Sequence, residues 1–488
     1  MAGSGGMARF CFLAGILLLY PAAVFAVDHV WIVGGGPTLF NSQAQIELNV
    51  KWEREVVLRQ NPKARMSVFF GSGSSLEKDV VAWRHPEESP ASMQPLARVF
   101  GANFQNGEWF YKNSVPGIAG ETRSKSLDAH LQKEFANVSA GDKALFIFYG
   151  HGSRDPSDNS GHVMRLWGDT RKTASDLVDL LSGINKEAPV RIFLPQCYSG
   201  GFAKSIYAGS LGTGSTKAAR MCGFMAVADD MESEGCSPSI KVGDYRDYSS
   251  YFFAALDGRT RTGAPLPASP DHNRDGKVTL REAHFYSLVY GESTDVPRST
   301  SDVFLENWEP WYLRPFSAQP DPGNIYRQAM TILAARNGLP AGADRFVPEA
   351  RSSLSDSGKQ IALLKKEQDD LFKKTESLRA TIKADVLARW PETSSPYTGK
   401  YRDFLLNQLN AAQQYIMQRP DYSALVDFQE QYMELDTQIL ASKRKYAQFE
   451  RILRLHKLAQ MLEKFERHAG RSDRAAYDKL VACEETTL

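Results

Sequence analysis

Two short stretches hold the residue types that could do covalent chemistry. Cys197 stands in FLPQCYSGGF, residues 193–202, where an apolar run stops and a Ser-Gly-Gly turn begins; His151 stands in YGHG, residues 149–152, directly after another apolar run. A thiol attacks a carbonyl as its thiolate, so it needs an imidazole or a helix N-terminus within reach. The imidazole can then protonate a leaving amine and afterwards activate water. Gly152, lacking a side chain, lets its N–H approach a substrate and, with the N–H of Cys197, hold a developing oxyanion. Gly200 and Gly201 permit a sharp turn out of the strand.

The elements that must position these residues follow from apolar patterning. Short continuous apolar runs at 29–34, 66–71, 144–149, 190–195 and 223–228 suit strands covered on both faces, and helical patterns occupy 42–60, 124–135, 174–184, 202–207 and 248–256. This alternation predicts right-handed crossovers and an α/β fold, a parallel-rich sheet flanked by helices over 27–300. Residues 72–120, rich in Gly, Pro, Ser and Asn, read as an insertion between units. Open parallel sheets bind ligands outside the carboxyl ends of their strands, which is where His151 and Cys197 fall. If the strands at 144–149 and 190–195 are neighbours, imidazole and thiol share one rim.

Past about residue 350 the chain changes character. Phe428, Tyr432, Leu435, Ile439, Tyr446, Phe449 and Leu453 keep three-four spacing, as do Ile361, Leu364, Leu371 and Leu378 earlier, with Pro391 and Pro420 expected to end helices. The spacing predicts an all-α helical hairpin or small bundle, coiled-coil-like, over 351–488, with 301–350 as a connecting segment.

Residues 1–26 read as a cleaved secretory signal, with Met7 an alternative start: one Arg precedes an apolar stretch, and small residues end at Ala26. A secreted or periplasmic protein without a later transmembrane span is expected. Lys+Arg 58 against Asp+Glu 57 gives no footprint for a nucleic-acid or anionic-membrane partner; a protein or peptide substrate is what the thiol and imidazole chemistry would require. Cys11 leaves with the signal; Cys222 and Cys236, flanking one strand and its loop, are the expected pair, with Cys197 and Cys483 left over.

A second motif concerns metal. DHNRDGKVTLRE, residues 271–282, matches the twelve-residue EF-hand loop position by position. Asp271, Asn273 and Asp275 supply side-chain oxygens, Gly276 the turn, Lys277 its carbonyl, Thr279 a direct or water-mediated contact and Glu282 a bidentate carboxylate. A single structural Ca2+ is the expected cofactor.

The Tyr-Gly-His-Gly and Gln-Cys-Tyr-Ser-Gly-Gly motifs also resemble those of the caspase-like cysteine peptidases, most of all the legumain family, over roughly residues 30–256. FMAVADDMESEGC and GDYRDYSSYF resemble that family's pocket-lining segments, which implies substrate-binding roles for Glu232, Ser233 and Asp244. The resemblance implies a secreted cysteine endopeptidase working through a Cys/His dyad and a thioester. A transpeptidase using the same thioester, or a catalytically silent scaffold with a partner-binding helical arm, are the alternatives. Legumains carry Glu after the nucleophile where this chain has Tyr198, and an Arg-His pair where it has Gln43-Ala44, so a preference for cleaving after Asn does not carry over. The acids Asp229, Asp230, Glu232, Glu234 and Asp244 would favour a Lys or Arg side chain by charge. The C-terminal helices are expected either to cap the active-site face, as in legumains, or to mediate self-association.

Overall fold

The computed structural model describes residues 1, 3, 26–83, 91–101, 108–154, 161–206, 221–314, 318–395 and 398–488. Nearly all of the expected signal at 1–26 lies outside them. The chain runs through β1 (Asp28–Gly34), α1 (Ala44–Gln60), β2 (Arg65–Phe70), β3 (Val80–Trp83), α2 (Gln94–Phe100), β4 (Glu108–Tyr111), β5 (Ile118–Gly120), α3 (Ser124–Phe135) and β6 (Lys143–Tyr149). Next come β7 (His151–Arg154), β8 (His162–Leu166), β9 (Thr170–Thr173), α4 (Ala174–Leu181), β10 (Val190–Leu194), β11 (Met221–Met225), α5 (Tyr248–Asp257), α6 (Leu280–Tyr290), β12 (Arg298–Ser299) and α7 (Thr300–Trp308). The remainder is helical: α8 (Ile325–Arg336), α9 (Ala343–Arg389), α10 (Gly399–Asn407), α11 (Leu409–Met417), α12 (Pro420–His468) and α13 (Arg471–Glu484).

Seven strands form the central sheet in the order β12-β11-β10-β6-β1-β2-β5. All pairs are parallel except β11 with β12. Successive side chains of a strand point to opposite faces, and both faces here are covered. Val30 and Ile32 pack with Val50 and Val56 of α1 and Phe252 of α5, while Trp31 and Val33 pack with Leu127 of α3 and Leu177 of α4. The insertion at 72–120 contributes the β3–β4 hairpin, α2 and the edge strand β5.

A second core joins sheet and C-terminal region. Phe285 and Leu288 of α6, Phe304 and Leu305 of α7, Tyr326 and Leu333 of α8, Ile452, Leu455 and Phe465 of α12, and Tyr477 and Leu480 of α13 pack together. Within 301–350, α7, α8 and the start of α9 are therefore packed structure rather than a free connection, because they give their apolar faces to this core. α9 and α12 form the long hairpin, and Phe372 of α9 meets Tyr432 of the α12 stripe with ring centroids 6.0 Å apart. Pro391 follows α9 as expected, but Pro420 opens α12 instead of ending a helix, since the first helical position has no N–H bond to lose. Near the far end of this arm, Leu96 and Val99 of α2 pack with Ile382, Val386, Trp390 and Ile416, and Gln429 Nε2 donates to the Arg98 carbonyl at 2.9 Å.

The cysteine pairing corrects the expectation. Cys222 bonds Cys483, while Cys197 and Cys236 are free thiols. Cys222 is the second residue of β11, near the amino end of the sheet, where α13 packs, whereas Cys236 lies beyond the carboxyl end of that strand, so length alone keeps them apart. At the same amino end the Leu280 N–H donates to the Thr486 carbonyl at 2.9 Å. Arg191, fully buried, donates to Asp28 Oδ1 at 2.8 Å and to the Thr487 carbonyl at 2.9 Å. No helix among the described residues is long and apolar enough to cross a membrane.

Candidate active site

β6 and β10 are neighbours, in register from Ala144 opposite Val190 to Ile147 opposite Phe193, so the residues after both strands emerge on one rim. His151 begins β7 two residues past β6, and Cys197 follows β10 by three. The two segments touch at Gly152. A Cβ there would stand 1.9 Å from the Cys197 carbonyl oxygen, so only glycine lets β7 lie against the Cys197 backbone. Tyr198 adopts the left-handed conformation, φ +58°, which costs a non-glycine residue about 1–2 kcal/mol. Its N–H donates to the Met231 carbonyl at 2.8 Å, its hydroxyl to Glu232 Oε1 at 3.2 Å, and a 3-10 helix follows over Ser199–Ile206.

Each reactive group is held by a partner of its own, and no hydrogen bond joins the two. His151 Nε2 lies 2.8 Å from Gln43 Oε1, and the ring also donates to the Asn41 carbonyl. A neutral imidazole has one N–H. With that proton on the nitrogen facing Asn41, Nε2 is an acceptor and takes the NH2 end of the Gln43 amide, whose two ends are interchangeable in shape. The same amide can turn its oxygen to a protonated ring. The Cys197 sulfur accepts from the Ser233 N–H at 3.3 Å and the Ser233 hydroxyl at 3.6 Å, and it lies 3.7 Å from the Ser233 carbonyl. Burial pushes the thiol above its ordinary pKa despite the Ser233 donors, and burial pulls the imidazole below its own. Both shifts oppose a thiolate–imidazolium pair, so the resting pair is neutral.

Of the expected substrate contacts, Ser233 touches the thiol, Glu232 is exposed and engages Tyr198, and Asp244 sits on an exposed turn. The carboxylate at the heart of this region is Asp247. It is fully buried and accepts from Gln45 (2.9 Å), Asn49 (3.2 Å), Tyr149 (2.8 Å) and Ser250 (2.8 Å), with Ser249 completing the set. Glu234 is paired with Arg444 of α12, and Asp229 and Asp230 are exposed. Asn41, Gln43 and Asp247 were missed as site residues. The loop after β1 leaves the same rim as His151 and Cys197, so the rule that located those two also pointed there.

The 271–282 loop has the turn its motif calls for. Gly276 takes φ +82°, Asp271 accepts from the N–H groups of Asp275 (3.2 Å) and Gly276 (2.9 Å), and Asn273 Oδ1 accepts from the Asp275 N–H at 2.9 Å. Glu282 is engaged elsewhere. Its Oε2 accepts from the Thr279 N–H and hydroxyl at 2.9 and 3.0 Å, capping α6, and its Oε1 accepts from the His272 N–H at 2.9 Å. Among the described residues no group of three or more His, Cys, Asp or Glu side chains is gathered closely enough to hold a metal. The donors suit calcium by type and order, with Glu282 the residue that must turn to complete the set; Asp271, Asn273, Asp275, the Lys277 carbonyl and Thr279 would supply the rest.

No family model matches the chain, and no curated protein matches it. Among solved structures it is similar to the crystal structure of the protein GSU0716 from Geobacter sulfurreducens, with a TM-score of 0.33 and 9% identity over 56% of this chain and 92% of that one.

Proposed function

We propose that the chain is a hydrolase in which a cysteine thiol, served by a histidine, attacks an amide carbonyl. More narrowly, we read it as an exported caspase-like cysteine endopeptidase, of the kind the legumain family represents. The observation that carries this reading is the juxtaposition of His151 and Cys197 at the carboxyl ends of two adjacent parallel strands, with Gly152 seated against the Cys197 backbone. A substrate backbone entering the rim takes over the contacts of Ser233 and frees the thiol. His151 removes the thiol proton as the sulfur bonds to the carbonyl carbon, and the N–H groups of Gly152 and Cys197 stabilise the oxyanion. The C–N bond breaks as His151 returns its proton to the leaving amine, and a water activated by the same ring hydrolyses the thioester. An amine in place of water would give transpeptidation. Ser233, Glu232 and Asp244 would contact the substrate side chains.

Export is supported by the signal-like residues 1–26 and by the Cys222–Cys483 bond, which suits an oxidising compartment. Calcium, bound through the 271–282 loop, would be a structural ion of the same protein. The test of the activity is a thiol-directed peptidyl electrophile together with a peptide-cleavage assay. Cys197→Ala is expected to abolish labelling and turnover while leaving the melting temperature unchanged, and His151→Ala to slow turnover by about 10²- to 10⁴-fold. Full cleavage by the Cys197→Ala protein would end the peptidase reading. Absence of both labelling and cleavage in the wild type would leave a silent scaffold.

A further inference from the structure

Arg451 lies on α12, far from Cys197 in sequence, and is 1% exposed. Its guanidinium donates to three backbone carbonyls, those of Gly291 (2.5 Å), Ser293 (2.6 Å) and Asp295 (2.9 Å). A rigid planar fork spread over three alternate carbonyls fixes the path of a loop in a way no flexible ammonium could. The loop it fixes runs from the end of α6 towards β12 and carries Asp295, itself fully buried. Asp295 accepts from the Glu234 N–H at 2.8 Å and from the Tyr248 N–H at 2.8 Å, joining the rim segment to the start of α5.

Glu234 closes the circuit. Its carboxylate accepts from the Thr294 N–H at 3.0 Å and is paired with Arg444 of α12, whose Nε stands 3.3 Å from Oε2. The residue before it is Ser233, whose N–H and hydroxyl rest on the Cys197 sulfur. A solvent-exposed ion pair would contribute little. The Arg444 and Glu234 side chains are only 27% and 17% exposed, and the Glu234 end of the pair also holds the Thr294 N–H. Arg454, the next arginine along the helix, binds Asp302 and Glu306 and the Pro297 carbonyl, so this half of α12 is fastened to the α/β region along its length.

We propose that Arg444 and Arg451 are positioning residues for Cys197. They hold segment 232–237 in the shape that presents Ser233 to the thiol and that a substrate must meet, which makes the helical arm a working part of the site and not a removable cover. The effect on turnover rests on the peptidase reading; the effect on the thiol does not.

The test is Arg444→Met, which keeps the aliphatic stem and removes the cation. KM for a peptide substrate should rise about tenfold with kcat changed much less, as expected when substrate positioning is lost. The pH midpoint for alkylation of Cys197 by iodoacetamide, followed by mass spectrometry of its peptide, should move up by about half a unit or more. Glu234 is then left without its cation beside Glu232 and Asp295, which already face the thiol, and the Ser233 donors loosen. The exchanged pair Arg444→Glu with Glu234→Arg should bring both readouts back towards wild type. A lowered melting temperature with KM and midpoint unmoved would mark a merely structural ion pair and overturn the proposal. If the wild type cleaves no peptide, the midpoint alone decides: a shift sustains the positioning role while the peptidase reading falls, and no shift overturns it.

Discussion

At the carboxyl ends of β1, β6 and β10 the chain rests the imidazole and the thiol themselves on neutral partners: His151 on Gln43 and Asn41, Cys197 on Ser233. At the amino ends of the same sheet it uses a disulfide, a buried Arg191–Asp28 pair and a C-terminal segment tied to Leu280 and Arg191. Neutral bonds can be exchanged for a ligand's at small net cost, typically about 1 kcal/mol each, whereas removing one partner of a buried charge pair costs about 3–5 kcal/mol. The difference teaches that reactivity and stability are lodged at opposite ends of the same strands. Changes at the amino end should alter stability and leave Cys197 labelling untouched.

The largest effect is expected from the disulfide. Cys483→Ser removes a crosslink spanning a sequence separation of 261 and should lower the unfolding free energy in urea by about 3–5 kcal/mol, with the Cys197 labelling rate of the folded protein unchanged. Removing everything from α9 onward takes away the α12 and α13 partners of the second core as well, so the truncated protein should lose soluble folded material and not gain activity, against the capping expectation. A soluble, hyperactive truncation would break the comparison outright.

A smaller effect concerns Glu484, fully buried on α13, where Oε1 accepts from the Thr300 hydroxyl and the Ser301 N–H, each at 2.7 Å. Burial pushes its carboxyl up from 4.5 to about 7. The folded protein therefore keeps a proton that the unfolded chain releases. Its stabilising contribution is full below about pH 4.5 and is lost as pH rises through about 7. Urea unfolding at pH 5 and pH 8 should show wild type losing about 2–3 kcal/mol more than Glu484→Gln over that interval. Equal losses would mean that the carboxyl ionises freely in place.

The smallest effect sharpens the comparison at the 271–282 loop, which leads into the α6 end tied to Thr486. Calcium at ten times its Kd should add about 1.4 kcal/mol, seen as a raised melting temperature, and Asp275→Ala or Glu282→Ala should erase that increment. If wild type and variants respond alike, the loop is a turn and this end of the fold is complete without an ion.

Much of the sheet was legible because buried parallel strands write themselves as unbroken apolar runs. The runs at 29–34, 66–71, 144–149 and 190–195 each fall within a residue of β1, β2, β6 and β10 at both ends, and α3 was read at its observed bounds. Within the central sheet β5 and β12 escaped, having 3 and 2 residues, too few for any period to register, and outside it the strands β3, β4 and β7–β9 and the helices α6, α7 and α8 were not read. That His151 and Cys197 share one rim was legible because consecutive strands joined by one helix are usually neighbours, which β6 and β10 are. Asp247 was obscured by Asp244 three residues earlier, since only tertiary packing separates a carboxylate that meets Gln45 and Tyr149 from one on an exposed turn. The disulfide was illegible for a related reason: proximity in sequence favoured Cys236, while the strand carries Cys222 and Cys236 to opposite ends of the sheet. The α12 stripe was seen correctly as apolar, but pattern alone could not say that its partner is α9 of the same chain.

The Cys222–Cys483 bond also sets an order of events during synthesis. At about 5–20 residues per second, a separation of 261 residues leaves Cys222 waiting roughly 13–52 s for its partner. Cys197 and Cys236 are already made by then. Correct pairing therefore depends on Cys222 staying clear of Cys197 and Cys236, which are free thiols in the folded protein. The bond is thus a seal that cannot be applied to the sheet until the helical region as far as residue 483 has been made.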